Sequence, residues 1–143
     1  MARCELCAYD RTKAIYACED FFVIDACEQA YPGYVRLVAQ EHRKELTDFE
    51  PRQRKVFYEA MLVIESVMRD VMAPDKVNWA QFGNMVPHLH WHAIPRYAED
   101  AHFPQAVWAP PVRQVDSAAL EARRMKARRF FEELAGRLEE RFG

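Results

Sequence analysis

Four glycines in 143 residues leave little material for a glycine-rich phosphate loop, and none can be read in the chain. No run approaches the roughly 18 consecutive apolar residues that suit a membrane-spanning helix, so no membrane contact is expected. The opening "MARCELCAYD" lacks the apolar core of a secretory signal, which predicts a cytoplasmic protein. A basic excess is missing as well: the formal net charge is -2. Duplex-binding proteins carry a basic stripe, and "RRMKARR" at 123–129, with acids downstream, reads instead as a solvated helix face. No nucleic-acid partner is expected. Repeats and low-complexity tracts are absent. Half of the residues are hydrophobic and 29% are charged, so the chain predicts one globular domain over residues 1–143.

What is present begins with clear secondary-structure signals. "FFVIDA" (21–26) is apolar and β-rich, Pro32-Gly33 makes a turn, and "YVRLVAQ" (34–40) alternates like the second strand of an antiparallel pair. A helix is predicted over about residues 50–73. There Val56, Phe57, Ala60, Met61, Ile64, Val67, Met68 and Val71 recur at three- and four-residue spacing, with Met61 and Met68 as core filling. Thr47, Asp48 or Glu50 can cap this helix, Pro51 suits its first turn, and Pro74 stops it. "KVNWAQF" (76–82) reads as a third strand, Gly83-Asn84 as a turn, and "HLHWHAI" (88–94) as a fourth. Beyond Pro95 the chain reads as irregular. A last amphipathic helix is predicted over about 117–142, carrying Leu120, Met125, Phe130, Phe131, Leu134, Leu138 and Phe142. Short antiparallel strands with segregated helices predict an α+β domain.

Three of the five histidines stand on alternate positions in "HLHWH". On a strand, His88, His90 and His92 share one face, about 6–7 Å apart, with Leu89, Trp91 and Ala93 on the other. Packing alone does not ask for this, because each buried imidazole must find partners for two nitrogens. Three readings fit. The rings can hold a catalytic metal in a metal-dependent hydrolase, since paired or triple histidines are common zinc ligands. Alternatively, one neutral imidazole is a nucleophile and its neighbours position an anionic substrate. The third is a nucleotide-binding or interaction module that keeps the pocket without turnover.

The stretch "NWAQFGNMVPHLHWHAIPR" resembles the signature of the histidine triad (HIT) superfamily, His-φ-His-φ-His-φ-φ with φ apolar. His88-Leu89-His90-Trp91-His92-Ala93-Ile94 fills every position. "FFVIDACEQAYPGYVRLVAQEH" resembles the strand–turn–strand that precedes the long helix in that family. "PHLHWHAIPRY" with "DAHFPQAVWAP" is similar to a bacterial branch of small HIT proteins, so the likeness runs over about residues 3–113. It implies a HIT-like fold, an antiparallel meander sheet with the long helix packed on it, here with a C-terminal helical extension, and a homodimer.

The resemblance also implies a hydrolase or nucleotidyl transferase acting on phosphoanhydride or phosphoramidate bonds of a purine nucleotide or dinucleoside polyphosphate. His90 would attack the α-phosphorus to form a nucleotidyl-histidine, which water hydrolyses to release nucleoside monophosphate. His92 and Asn84 would hold phosphoryl oxygens. Asp25 would take the ribose hydroxyls and Asn78 would approach the nucleotide; a turn residue and a strand-end hydrogen bond are the respective alternatives. No cofactor is required for this chemistry. Many relatives carry a Ser or Thr that helps protonate the leaving group where this chain has Met85. A thioether has no donor, which favours a polyphosphate-type leaving group.

"CELC" (4–7) is a C-x-x-C, either a redox pair or half of a zinc site. Some HIT proteins complete such a site with a histidine after the second strand and the first triad histidine. The resemblance therefore implies a structural zinc ion held by Cys4, Cys7, His42 and His88. Cys18 and Cys27 carry no pattern, and His102 reads as a surface or capping histidine. Trp108 can pack a partner or stack on a base.

Overall fold

The computed structural model describes residues 3–143. A short helix, α1 (Glu5–Ala8), leads into strands β1 (Tyr16–Ala17), β2 (Phe21–Asp25) and β3 (Val35–Ala39). Helix α2 (Pro51–Met72), strands β4 (Lys76–Ala80) and β5 (His90–Arg96), and helix α3 (Ser117–Phe142) follow. The strands form one antiparallel sheet in the order β1-β2-β3-β5-β4. The α+β expectation thus holds, with β5 inserted between β3 and the edge strand β4.

Local chemistry accounts for most boundaries. Glu50 caps α2 through a capping box with Gln53, and Pro51 occupies the first turn, where its missing N–H costs nothing. Ala73 ends the helix in the left-handed region at φ 46°, just before Pro74. The β2–β3 turn needs Gly33. Its φ is +88°, and a Cβ there would come within 2.9 Å of the Met72 methyl. One expected boundary is corrected, and one strand is added to those expected. Strand β5 continues through Pro95 to Arg96; it pairs with β3 only as far as Ala93, so Pro95 interrupts no bond to that neighbour. Strand β1 has two residues, too few to show an alternation.

Alternation along the strands gives the sheet two different faces. Phe21, Val23, Val35, Leu37, Trp91 and Ala93 point to one face and pack under α2 and α3. From α2, Phe57, Ala60, Ile64, Val67 and Met68 enter this core. From α3 come Ala127, Phe130, Leu134 and Leu138. Each such buried Leu, Ile or Phe contributes on the order of 1.5–3 kcal/mol. Met125 departs from the predicted stripe and is 64% exposed. The basic run at 123–129 is mostly solvated, except that Arg123 lies over the Tyr97 ring at 4.0 Å. The opposite face carries His90, His92 and Arg36, with Phe22, Ile24 and Val38 covered by the N-terminal arm through Leu6.

A buried ion pair ties down the chain after β5. Arg96 and Asp100 are 2% and 1% exposed and meet at 2.8 Å. Arg96 also donates to the Gln105 carbonyl at 2.7 Å, and Asp100 accepts from the N–H groups of Tyr97, His102 and Phe103. Burial pushes the Asp100 carboxyl up. The Arg96 guanidinium and these N–H donors outweigh it and hold the acid far below the carboxylate range. Asp100→Asn leaves a buried guanidinium uncompensated. It is expected to lower the unfolding free energy by about 3–5 kcal/mol, measured by denaturant titration.

Candidate functional site

The C-x-x-C sits on the single turn of α1. Cys4 is its N-cap, its sulfur accepting from the Cys7 N–H at 3.4 Å, so both thiols face the same side. Arg11 donates to the carbonyls of Leu6, Cys7 and Tyr9 and anchors the arm. One ligand atom each from Cys4, Cys7, His42 and His88 lie within 4.8 Å of one another, a group that could hold a metal ion. The Cys7 sulfur is 3.3 Å from His42 Nδ1 and 3.5 Å from His88 Nδ1. Cys4 Sγ is 3.5 Å from His88 Nδ1, and the two Nδ1 atoms are 3.2 Å apart.

A tetrahedral zinc with ordinary bond lengths puts sulfur and nitrogen ligands about 3.5 Å apart and two nitrogens about 3.3 Å apart. The residues fit that ion. His88 Nε2–H donates to the Ala39 carbonyl at 2.6 Å, which leaves the Nδ1 lone pair for the metal. Burial, outweighing the opposite effect of that hydrogen bond, pushes the His88 pKa down and keeps the ring neutral, as ligation requires.

His88 therefore stands apart from the other two histidines. It lies before β5, its N–H bonded to the Val86 carbonyl at 2.8 Å in a local turn after Pro87. The expected strand face of three rings is corrected to two rings on the strand and one beside it. The three imidazoles do not converge, so one metal shared by all three has no place in this geometry.

His90 is aimed by His88. Its Nδ1–H donates to the His88 carbonyl at 2.7 Å, so Nε2 keeps the lone pair. The His92 ring lies 5.1 Å from it, centroid to centroid, and His92 Nδ1 meets the Tyr34 hydroxyl at 2.6 Å. Burial first, then the charges of His90 and Arg36, depress the His92 pKa to about 4. Its folded pKa lies below its unfolded one, so the unfolded state takes up the proton first as pH falls. Stability from this residue is full above about 6.5 and drains away down to about 4. The expected loss is about 2–3 kcal/mol. Urea titrations of wild type and His92→Asn between pH 7 and 4 check it: the wild-type slope should be the steeper.

Both rings line a cavity of about 500 Å³, a size suited to a small-molecule ligand. The loop after β4 supplies Gly83, at φ +74°, and the exposed Asn84 and Met85. Phe82 and Trp108 form an aromatic wall, 5.0 Å apart, with Trp108 5.5 Å from His92. Trp108 is thus a cavity residue. Arg36 reaches the same cavity from β3, where it is paired across the ladder with His92. Sequence reading passed over Arg36, Tyr34 and Phe82. The available signal for Arg36 was a charge on an alternating position in the apolar run "YVRLVA".

Two expected ligand contacts are not brought to this cavity. Asp25 shares the helix-bearing face with Val23. Its carboxylate accepts from the Cys27 N–H at 2.8 Å, closing its own turn, and it borders a separate depression with Arg124 and Arg128. Alternation on β2 is the physical reason. Asn78 accepts from Arg96 at 2.8 Å, which is the strand hydrogen bond of the alternative reading. His102 pairs with the Tyr31 hydroxyl at 2.6 Å, Cys18 is half-buried and Cys27 is exposed.

No curated protein matches the chain significantly. Among solved structures, a histidine triad protein from Marinobacter aquaeolei is 27% identical with a TM-score of 0.66, covering 85% of this chain and 90% of its own. One from Bradyrhizobium japonicum is 26% identical with a TM-score of 0.66, covering 82% and 89%. A third, from Sinorhizobium meliloti, is 25% identical with a TM-score of 0.65, covering 83% and 87%. The HIT domain family model matches residues 10–99, which hold the whole sheet, α2 and the histidine row. The motif, the sheet around it and the family match agree, and this chain belongs to the histidine triad family.

Proposed function

We propose that this protein is a nucleotide hydrolase or nucleotidyl transferase working through a covalent nucleotidyl-histidine on His90. The observation that carries the reading is the 2.7 Å hydrogen bond from His90 Nδ1–H to the His88 carbonyl. It fixes the tautomer and presents the Nε2 lone pair on a ring that lines the cavity. In the first step Nε2 bonds to the α-phosphorus and the bond from phosphorus to the leaving oxygen breaks, its electron pair departing with that oxygen. Water then displaces the imidazole and releases nucleoside monophosphate.

His92 and the Asn84 amide supply donors for the charge on the phosphoryl oxygens. Phe82 and Trp108 give a face for the base, and a purine nucleotide or dinucleoside polyphosphate fits this lining. Asp25 and Asn78, engaged elsewhere, are left out of the contacts. Zinc on Cys4, Cys7, His42 and His88 would hold the arm against the sheet. With all four ligands supplied by the protein, such an ion would be structural, and the chemistry needs no cofactor. The reading includes a cytoplasmic homodimer, for which β4, the longer of the two edge strands, is the place of pairing.

A single-turnover incubation with nucleotide labelled at the α-phosphate tests this. Acid-labile label held by wild type and missing from His90→Ala is the expected result. Equal retention by both, or none by either, removes the covalent step and leaves a binding module.

A further inference from the structure

Among the described residues, Arg36 is the one arginine on the cavity wall, and nothing in the catalytic reading uses it. It stands on β3 opposite His92, while Val38, two residues on, stands opposite His90. Arg36 therefore stands on the nucleophile's face of the sheet, two residues along β3 from the position opposite it. Its Nε is buried with no hydrogen-bond partner among the described residues. None of the ion pairs found among them involves it. The nearest aromatic face, Tyr34, is 6.0 Å away, at the limit of a cation–π contact. Among the described residues, Glu5 is the only acid lining the same cavity, and it forms no ion pair with Arg36.

An arginine held in a strand without an acid is poorly accounted for by packing. Its Nε has been taken out of water with no acceptor in return, while the terminal nitrogens are not buried. The planar fork suits a phosphate, which it can grip through two N–H donors.

We propose that Arg36 forms a second phosphate subsite, holding the phosphoryl group beyond the one that His90 attacks. This rests on the nucleotidyl-histidine reading for the position of the first phosphate. It also explains how a site with Met85 in its wall releases its leaving group. When the phosphorus–oxygen bond breaks, the electron pair stays on the departing phosphate oxygen. A phosphate is stable as that anion and needs no proton, only a cation beside it. An amine leaving group would need a proton, and neither Met85 nor Arg36 supplies one. The substrate class the cavity selects is then a nucleoside polyphosphate, not a phosphoramidate.

The test measures binding, so it stands apart from turnover. Calorimetric titration compares adenosine monophosphate with α,β-methylene adenosine diphosphate, whose extra phosphate cannot leave. Wild type is expected to bind the diphosphate analogue at least about tenfold tighter, the effect of a charge-assisted pair. Arg36→Met should erase that preference and Arg36→Lys should keep part of it. The Arg36→Met melting temperature should stay level or rise, since no ion pair is lost. Equal affinity of wild type for the two ligands overturns the proposal. A preference that survives in Arg36→Met, or a lower melting temperature that marks a structural role, overturns it too. Loss of the His90 label with the affinity pattern intact would instead remove the covalent reading and keep the subsite.

Discussion

His90→Ala is expected to lower kcat on a nucleoside polyphosphate by about 10⁴-fold or more, because removing a covalent nucleophile removes the pathway itself. His92→Ala should cost less, on the order of 10²–10³-fold, as loss of one donor to the developing charge. The order of the two effects is the informative part. His90 touches the fold lightly through its side chain: one hydrogen bond to the His88 carbonyl, worth about 1 kcal/mol. The variant should therefore stay folded, and a near-wild-type melting temperature is the control. Steady-state release of nucleoside monophosphate provides the measurement. A His90→Ala protein as active as wild type, with His92→Ala the dead one, would move the nucleophile to the other ring.

Metal removal should produce a large change in stability. A zinc ion held at 1,000 times its dissociation constant stabilises the fold by about 4 kcal/mol. At about 3 °C per kcal/mol for a chain of this size, chelation should lower the melting temperature by about 12 °C. Cys7→Ser should reproduce most of that shift and should no longer respond to the chelator. Activity should fall as well, since the His88 carbonyl that orients His90 belongs to the residue whose ring joins the cluster. Elemental analysis should find one zinc per chain. A chain purified without metal, with a melting temperature indifferent to chelator, would leave the four side chains as a hydrogen-bonded group only.

Helix α2 was legible because everything that makes it is local. Its apolar spacing, the Glu50–Gln53 cap, Pro51 and Pro74 all act within a few residues of where they are written. The strand pairs β2–β3 and β4–β5 were legible for the same reason, each joined by a turn whose glycine has positive φ. Strand β1 was not, since two residues paired with β2 carry no period of their own. The metal group lay within reach of reading only through the resemblance. Its members are 84 residues apart in the chain, and no local rule joins Cys4 to His88.

The sequence by itself determined which chemistries were available: a row of imidazoles, a pair of thiols, and no glycine loop. Tertiary structure decided how those groups were divided. Strand β5 begins at His90, so His88 was released to the cysteines, and alternation sent Asp25 to the helix face while bringing Arg36 beside His92. Side-chain types are written one residue at a time. Which of them share a face and a cavity depends on strand register and on where a strand starts, and those are settled by pairing between distant segments.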